Sequence, residues 1–519
     1  MAVHVADLPR QPGQQKSFME RMLDAVERVG NKVPHPAVIF VLLILLLIAV
    51  SHVMYLFGAS VTFEQANPDT HAIEETSVAA KSLLTADGIR FMYSDVVKNF
   101  MNFNAVGVII VAMLGVGVAD AAGLVGAMIR KLVLVAPKPL LTYILVFVGI
   151  VSSVAADAGY LVLIPLAAAA FLSVGRHPLA GLGASFAAVA AVFSVNILIK
   201  PLDGILTEIT NDAIHLVNPN ASIDLTANFW FSVASVLMLT VVVSIVTDRF
   251  VEPRLGKYEG EVPAEAGENS LTAAESRGLK YAMWALVGVL VFFALLALPR
   301  GAPLRNPDTG SLIADSPFMN GLIVFIALVF LAAGAGYGIG ARTMKGTADV
   351  IKAMEKAIAG LGGLILLLFI ISQFLAFFTY TNIATIAAVK AGDILERAGL
   401  GALPLLIGFV LVVAILDLIM TGAIPKWAIF APIFVPLLMR LGVKPDAVLA
   451  AYRVGDSPIN AISPLNAYFA LIVSFAAKYD KNAGVGTVIA LMLPYVIVVL
   501  LIWTVLLALW QMLGLPWGF

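Results

Sequence analysis

The chain contains no cysteine. Disulfides, thiolate catalysis and cysteine-bound metals are thereby excluded. It is also poor in charge. Only 13% of its 519 residues are Asp, Glu, Lys or Arg, about half of the roughly 25% usual in soluble globular chains. The net charge of −1 offers no basic footprint, which argues against nucleic acid as a partner. Apolar residues make up 61% of the chain, and the mean hydropathy is +0.97. This composition points to an all-α polytopic membrane protein in a lipid bilayer. The question becomes what the few charges inside its apolar runs are for.

A membrane-spanning helix needs roughly 20 mainly apolar residues. Charge-free runs predict nine spans, near 36–57, 103–129, 178–199, 229–249, 281–299, 317–339, 357–379, 446–477 and 485–513, the eighth broken near 455–465. Residues 1–35 are mostly polar, and the first apolar segment is too long for a cleavable signal. Two further apolar stretches are interrupted. Residues 139–175 carry Ser152-Ser153 and Asp157-Ala158-Gly159, and residues 403–441 carry Thr421-Gly422 and Pro425-Lys426. Each is expected to form a re-entrant hairpin, two half-length helices with a polar tip, a form tolerated at membrane depth when protein or water surrounds it. Lys/Arg bias in the loops puts the N-terminus and the linker 251–280 in the cytoplasm and the C-terminus outside. The halves are then 36–250 and 281–519, with hairpins entering from opposite sides.

The two halves share a pattern. A shift of 267 aligns Tyr160 with Trp427, Pro165 with Pro432, Gly175 with Gly442, His177 with Lys444, and Pro178 with Pro445. Ala/Leu-rich stretches match easily by chance. Broken segments in corresponding places of two halves are nevertheless the sequence pointer to a transporter's binding site.

A charge at the bilayer centre costs about 2.5–3.5 kcal/mol or more, so each needs a reason. Asp157 stands at the first tip beside Ser153, suited to a proton, a cation or a substrate contact, or simply to capping a half-helix. Arg453 and Asp456 lie three apart, on one helical face. They form either a self-neutralising pair or a switchable one, with Arg453 holding a substrate carboxylate and Asp456 a coupling ion. The segment Ser457-Pro458-Ile459-Asn460 is followed by Ser463-Pro464-Leu465-Asn466. Its prolines unwind the helix, so Asn460, Asn466 and freed carbonyls could meet a cation or polar ligand. Lys426 and Trp427 suit an aromatic carboxylate, or an interfacial anchor. Asp417 is a relay acid or a cap. Asn196 marks the polar end of the span after the first hairpin. Asp120 and Lys200 are assigned structural places near helix ends, where lysine can snorkel. Asn382, ending a long span, offers polar contacts.

These residues carry a resemblance. Over nearly its whole length the chain resembles the p-aminobenzoyl-glutamate transporter (AbgT) family, through Ser152–Pro165, Asn196–Thr207, Lys426–Pro436 and Tyr452–Pro464. The resemblance implies a homodimeric transporter of the bacterial inner membrane, with nine spans and two opposed hairpins. The implied substrates are p-aminobenzoyl-glutamate and p-aminobenzoate-like molecules, with sulfonamides by efflux. The family's important positions fall on Asp157, Trp427, Pro445, Arg453, Asp456 and Pro464. Ile424 and Pro425 depart from the small or hydroxylated residues expected there. The expected arrangement has Arg453 on the substrate carboxylate, Trp427 on the aminobenzoyl ring, and the coupling ion, H+ or Na+, at Asp157 or Asp456. No other cofactor is implied.

Three rival readings stand beside this one. A sodium-coupled di- or tricarboxylate transporter of the same two-hairpin design would have a more polar site. An intramembrane metalloprotease needs a His-Glu-x-x-His helix, which is missing, and an aspartyl protease would place two Asp on continuous helices. A channel would show a repeated polar series, and none is present.

Overall fold

The computed structural model describes residues 36–66, 73–134, 136–154, 159–260, 271–313, 316–387, 389–390, 401–418, 420 and 422–519. The N-terminal segment 1–35, much of the linker and Asp157 lie outside these residues. Helices dominate: α1 (Pro36–Leu56), α2 (Asn104–Ala122), α3 (Leu141–Ser152), α4 (Ile164–Ser173), α5 (Pro178–Phe186), α6 (Pro201–His215), α7 (Phe229–Leu255) and α8 (Ala273–Ala297). They continue with α9 (Leu322–Ala341), α10 (Thr347–Gly360), α11 (Gly362–Thr381), α12 (Ala402–Asp417), α13 (Ala423–Arg440), α14 (Pro445–Ile459), α15 (Phe469–Ala477) and α16 (Val485–Met512). Among the described residues the only sheet is a hairpin of β1 (Ser60–Ala66) and β2 (Ile73–Ala79), paired antiparallel with Ser60 opposite Ala79.

Several long helices leave their apolar side chains uncovered. Leu45 and Leu46 of α1 and Trp284 of α8 are largely exposed. In water such continuous surface would drive association. In hydrocarbon it is stable, and a helix satisfies its own backbone hydrogen bonds there. Inner helices pack through small residues instead. A Cβ on Gly115 of α2 would fall on the Ala327 carbonyl of α9, and one on Gly334 of α9 would fall on the Ala119 backbone of α2. Backbones this close suit packing inside a bilayer, where no hydrophobic force drives helices together.

Eight described helices are long and apolar enough to cross a membrane, against nine predicted spans. Two predicted spans are broken. The span 178–199 is helical only through Ala191, because its polar end turns away: Asn196 and Ser194 bond to other segments, and Pro201 restarts the chain as α6. The span 446–477 stays helical through Ile459, so Arg453, Asp456, Ser457 and Pro458 are all helical. It unwinds only over 460–468 before α15. Conversely α13, expected as a hairpin arm, is itself 18 residues long.

The 267-residue shift extends to backbone detail. Gly175 and Gly442 both adopt φ +78°, a left-handed conformation that glycine enters without a Cβ clash. Pro178 and Pro445 each open a helix, where a missing N–H costs nothing. The unwound stretches 192–200 and 460–468 superpose under the shift to within one residue. The segment α3–α4 and the segment α12–α13 are each interrupted helix pairs; in the second, Phe409 meets Phe434 across the pair at 4.5 Å.

Candidate functional site

The break between α5 and α6 builds the first half of the site. Asn196 Nδ2 donates to the Ile150 and Val151 carbonyls and to Ser153 Oγ at 3.2, 3.0 and 3.0 Å, adding to the bonds these carbonyls accept from the Ser153 and Val154 N–H groups at the end of α3. Lys200 follows, only 2% exposed. Its ammonium donates to Ser153 Oγ at 3.3 Å and to the Phe193 carbonyl, at the helix end where a cation is favoured. Its backbone N–H donates to Asp203 Oδ2 at 2.8 Å. Lys200 is therefore not snorkelling, as its place in the sequence suggested. The chain reversal at Pro201 keeps its ammonium inside.

A cavity of about 620 Å³ opens beside this tip. Lys200, Ser152 and Ser153 supply its inner polar atoms, and Asp120 and Lys356 are exposed charges on its lining. Tyr160 and Phe193 form aromatic walls, and Ile424 reaches it from the start of α13. Tyr160 is itself backed by Tyr468, stacked at 4.2 Å. The pocket thus offers an ammonium and hydroxyls next to flat rings, which suits an anionic ligand with an aromatic body.

Of the residues singled out from sequence, Ser153, Asp120 and Lys200 line this cavity, and Asn196 bonds to Ser153. The others assemble deeper. Arg453 turns away from Asp456. It donates to Asp203 Oδ1 and the Ser194 carbonyl, both at 2.6 Å, and to Asn228 Oδ1 at 3.1 Å. Its guanidinium is engaged by the chain itself, tying α14 to the unwound stretch 192–200 and to α6. Trp427 is completely buried. Its indole N–H donates to the Leu206 carbonyl at 3.1 Å and Thr210 Oγ1 at 3.0 Å, and its ring lies against Tyr452 at 4.6 Å. The structure gives this ring a packing place between α6, α13 and α14, away from the cavity wall.

Lys426 binds Asp417 and Asp456, all three at most 1% exposed. Asn460 Nδ2 donates to Asp417 Oδ2 at 3.0 Å and to the Asp456 carbonyl at 2.7 Å. Asn466 Nδ2 donates to the Asn460 carbonyl at 3.1 Å and shapes the unwound turn around Pro464. Pro445 is the first residue of α14. Asn382 caps α11 with φ +60° and donates to the Ala79 carbonyl at 3.0 Å. Asp157 lies outside the described residues.

Sequence reasoning named Asp120 and Lys200 but gave them structural places, and it did not single out Lys356; all three line the cavity. A signal was present for Lys200: Lys-Pro-x-Asp after a polar break marks a helix restart, with Pro201 first in the helix and Asp203 accepting from the Lys200 N–H.

The sequence matches the profile of the AbgT putative transporter family over residues 21–519. It is 34% identical over 493 residues to the p-aminobenzoyl-glutamate transport protein of Escherichia coli strain K12, covering 95% of each chain. The Alcanivorax borkumensis YdaH transporter, described as having an unusual topology, superposes with a TM-score of 0.86 at 39% identity, over 93% of this chain and 100% of that one. Neisseria gonorrhoeae MtrF, described as illuminating a class of antimetabolite efflux pumps, gives 0.88 at 39% identity, over 94% and 97%. These relatives are transporters, not enzymes.

Proposed function

The chain belongs to the AbgT putative transporter family, and from that premise we propose that it is a secondary active transporter of p-aminobenzoyl-glutamate and p-aminobenzoate-like aromatic carboxylates. The observation that carries this reading is the cavity in which the Lys200 ammonium and Ser153 hydroxyl lie beside the Tyr160 and Phe193 rings. The ammonium takes a carboxylate through a charge-assisted hydrogen bond, and the rings take the aromatic body. The transport protein of Escherichia coli named for this substrate supports the assignment.

The proposal extends to the bilayer. The segments 139–175 and 403–441 are re-entrant hairpins, and the protein is a homodimer of the bacterial inner membrane, its N-terminus cytoplasmic and its C-terminus outside. Transport is coupled to a proton or sodium gradient, and sulfonamide antimetabolites are exported by the same route, in keeping with the description of the Neisseria gonorrhoeae relative. Moving one anionic charge outward across a negative-inside membrane is downhill by about 2.3 kcal/mol per 100 mV. Import therefore needs at least one co-transported cation per charge to cancel that term, whereas export does not.

A mostly apolar cavity wall favours this reading over a transporter of citrate-like acids. The test is movement of labelled p-aminobenzoyl-glutamate and labelled succinate by purified protein in liposomes, under an imposed pH gradient and then a sodium gradient. Movement of the aromatic compound that follows one gradient supports the proposal. Movement of succinate alone overturns it.

A further inference from the structure

At the second interrupted helix pair, two carboxylates converge on one ammonium. Lys426, in the first turn of α13, binds Asp417 at the end of α12 and Asp456 in α14. The three charges sum to −1 in a region closed to water. Arg453, one turn before Asp456, does not balance them, because it is committed to Asp203. Tyr452 adds a hydroxyl 3.2 Å from Asp456 Oδ1. The other oxygen, Asp456 Oδ2, is buried with no hydrogen-bond partner among the described residues. The cluster is thus an oxygen-rich pocket around a single positive centre, with one oxygen to spare.

The internal repeat carries none of these three charges at the corresponding places. The 267-residue shift places Asp417, Lys426 and Asp456 on Ile150, Gly159 and Val189. There an added Cβ on Gly159 would lie 2.5 Å from Ser152 Oγ and 3.0 Å from both methyl carbons of Val189. The corresponding contact is made in one half by Gly159 against Val189 and the Ser152 hydroxyl, and in the other by a buried ion cluster. Buried ion clusters are commonly no more stable than the apolar contacts that replace them.

We infer that this cluster is a monovalent-cation site whose occupant is the chain's own Lys426 ammonium, and that truncating Lys426 converts it into a site for a free sodium ion. Paired carboxylates at membrane depth require a positive charge from some source. Carboxylate and hydroxyl oxygens are the ligands a hard cation takes. With the tethered ammonium in place, the wild-type protein draws no sodium ion to this point. The inference concerns ion binding and does not depend on the substrate proposed above.

The test compares thermal unfolding of the purified full-length protein in sodium chloride and in choline chloride at equal ionic strength. The wild type is expected to unfold at the same temperature in both. Lys426→Ala is expected to be less stable than wild type in choline and to gain at least about 2 °C in sodium, as a ligand that binds only the folded state does. Lys426→Ala/Asp456→Asn is expected to lose that gain. Lys426→Ala that unfolds alike in both salts, or folds in neither, overturns the inference. So does a sodium-specific rise in the wild type that Asp456→Asn abolishes.

Discussion

Arg453 donates to Asp203 at 2.6 Å, joining two helices whose contact residues are 250 positions apart in the chain. The pair is almost enclosed, with Arg453 and Asp203 side chains 3% and 14% exposed. Removing one partner of such a pair leaves a buried charge uncompensated and costs about 3–5 kcal/mol. Arg453→Ala is therefore expected to lose stability together with transport. Arg453→Ala/Asp203→Ala should be less destabilised than the sum of the single changes. A double-mutant cycle of unfolding midpoints checks this, and strict additivity would contradict the pairing.

Trp427 makes a related prediction. Its ring is enclosed and its N–H is bonded to Leu206 and Thr210, so Trp427→Ala opens a cavity and costs about 3–5 kcal/mol. Transport of aromatic and aliphatic substrates should fall together. A selective loss of the aromatic ones, measured side by side in liposomes, would return the ring to the substrate site.

His177 carries a pH dependence. Burial lowers its pKa below the usual 6.5, and the nearby Glu252 and Asp480 only partly offset this. Its Nδ1 accepts from the Leu179 N–H at 3.2 Å, a cap that needs the unprotonated ring, and its ring lies 5.4 Å from that of Tyr258. With the folded pKa depressed, the unfolded chain takes up the proton first. The contribution is complete above pH 6.5 and is lost as pH falls from there through the folded value. Asparagine caps a helix without titrating. The unfolding temperature of wild type should therefore fall more between pH 7.5 and pH 5 (about 1 above and about 1.5 below the usual histidine pKa) than that of His177→Asn. Parallel curves would refute the role.

The fold was legible where local chemistry decides it. Prolines and glycines spaced identically in the two halves, Pro178 with Pro445 and Gly175 with Gly442, mark the same turn because each residue type permits that backbone whatever surrounds it. Unwinding at 460–468 was visible in its prolines and asparagines, although Pro458 remains helical. Partners were not legible. Spacing of three suggested that Arg453 pairs with Asp456, but a stronger arrangement exists in space: Asp203 reaches Arg453 from a restarted helix, and Lys426 takes Asp456. Lys200 was misplaced for the same reason. Its run looked continuous until Asn196 and Pro201 turned the chain, and only the folded path brings its ammonium to Ser153.

The most direct measurement is equilibrium binding of p-aminobenzoyl-glutamate to the purified wild type and to Lys200→Gln, which keeps polarity and most of the length but removes the charge. A hydrogen bond to a charged group contributes about 1.5–3 kcal/mol, so affinity should drop by about tenfold or more. Equal affinity in a folded Lys200→Gln would contradict the placement of the carboxylate in this cavity.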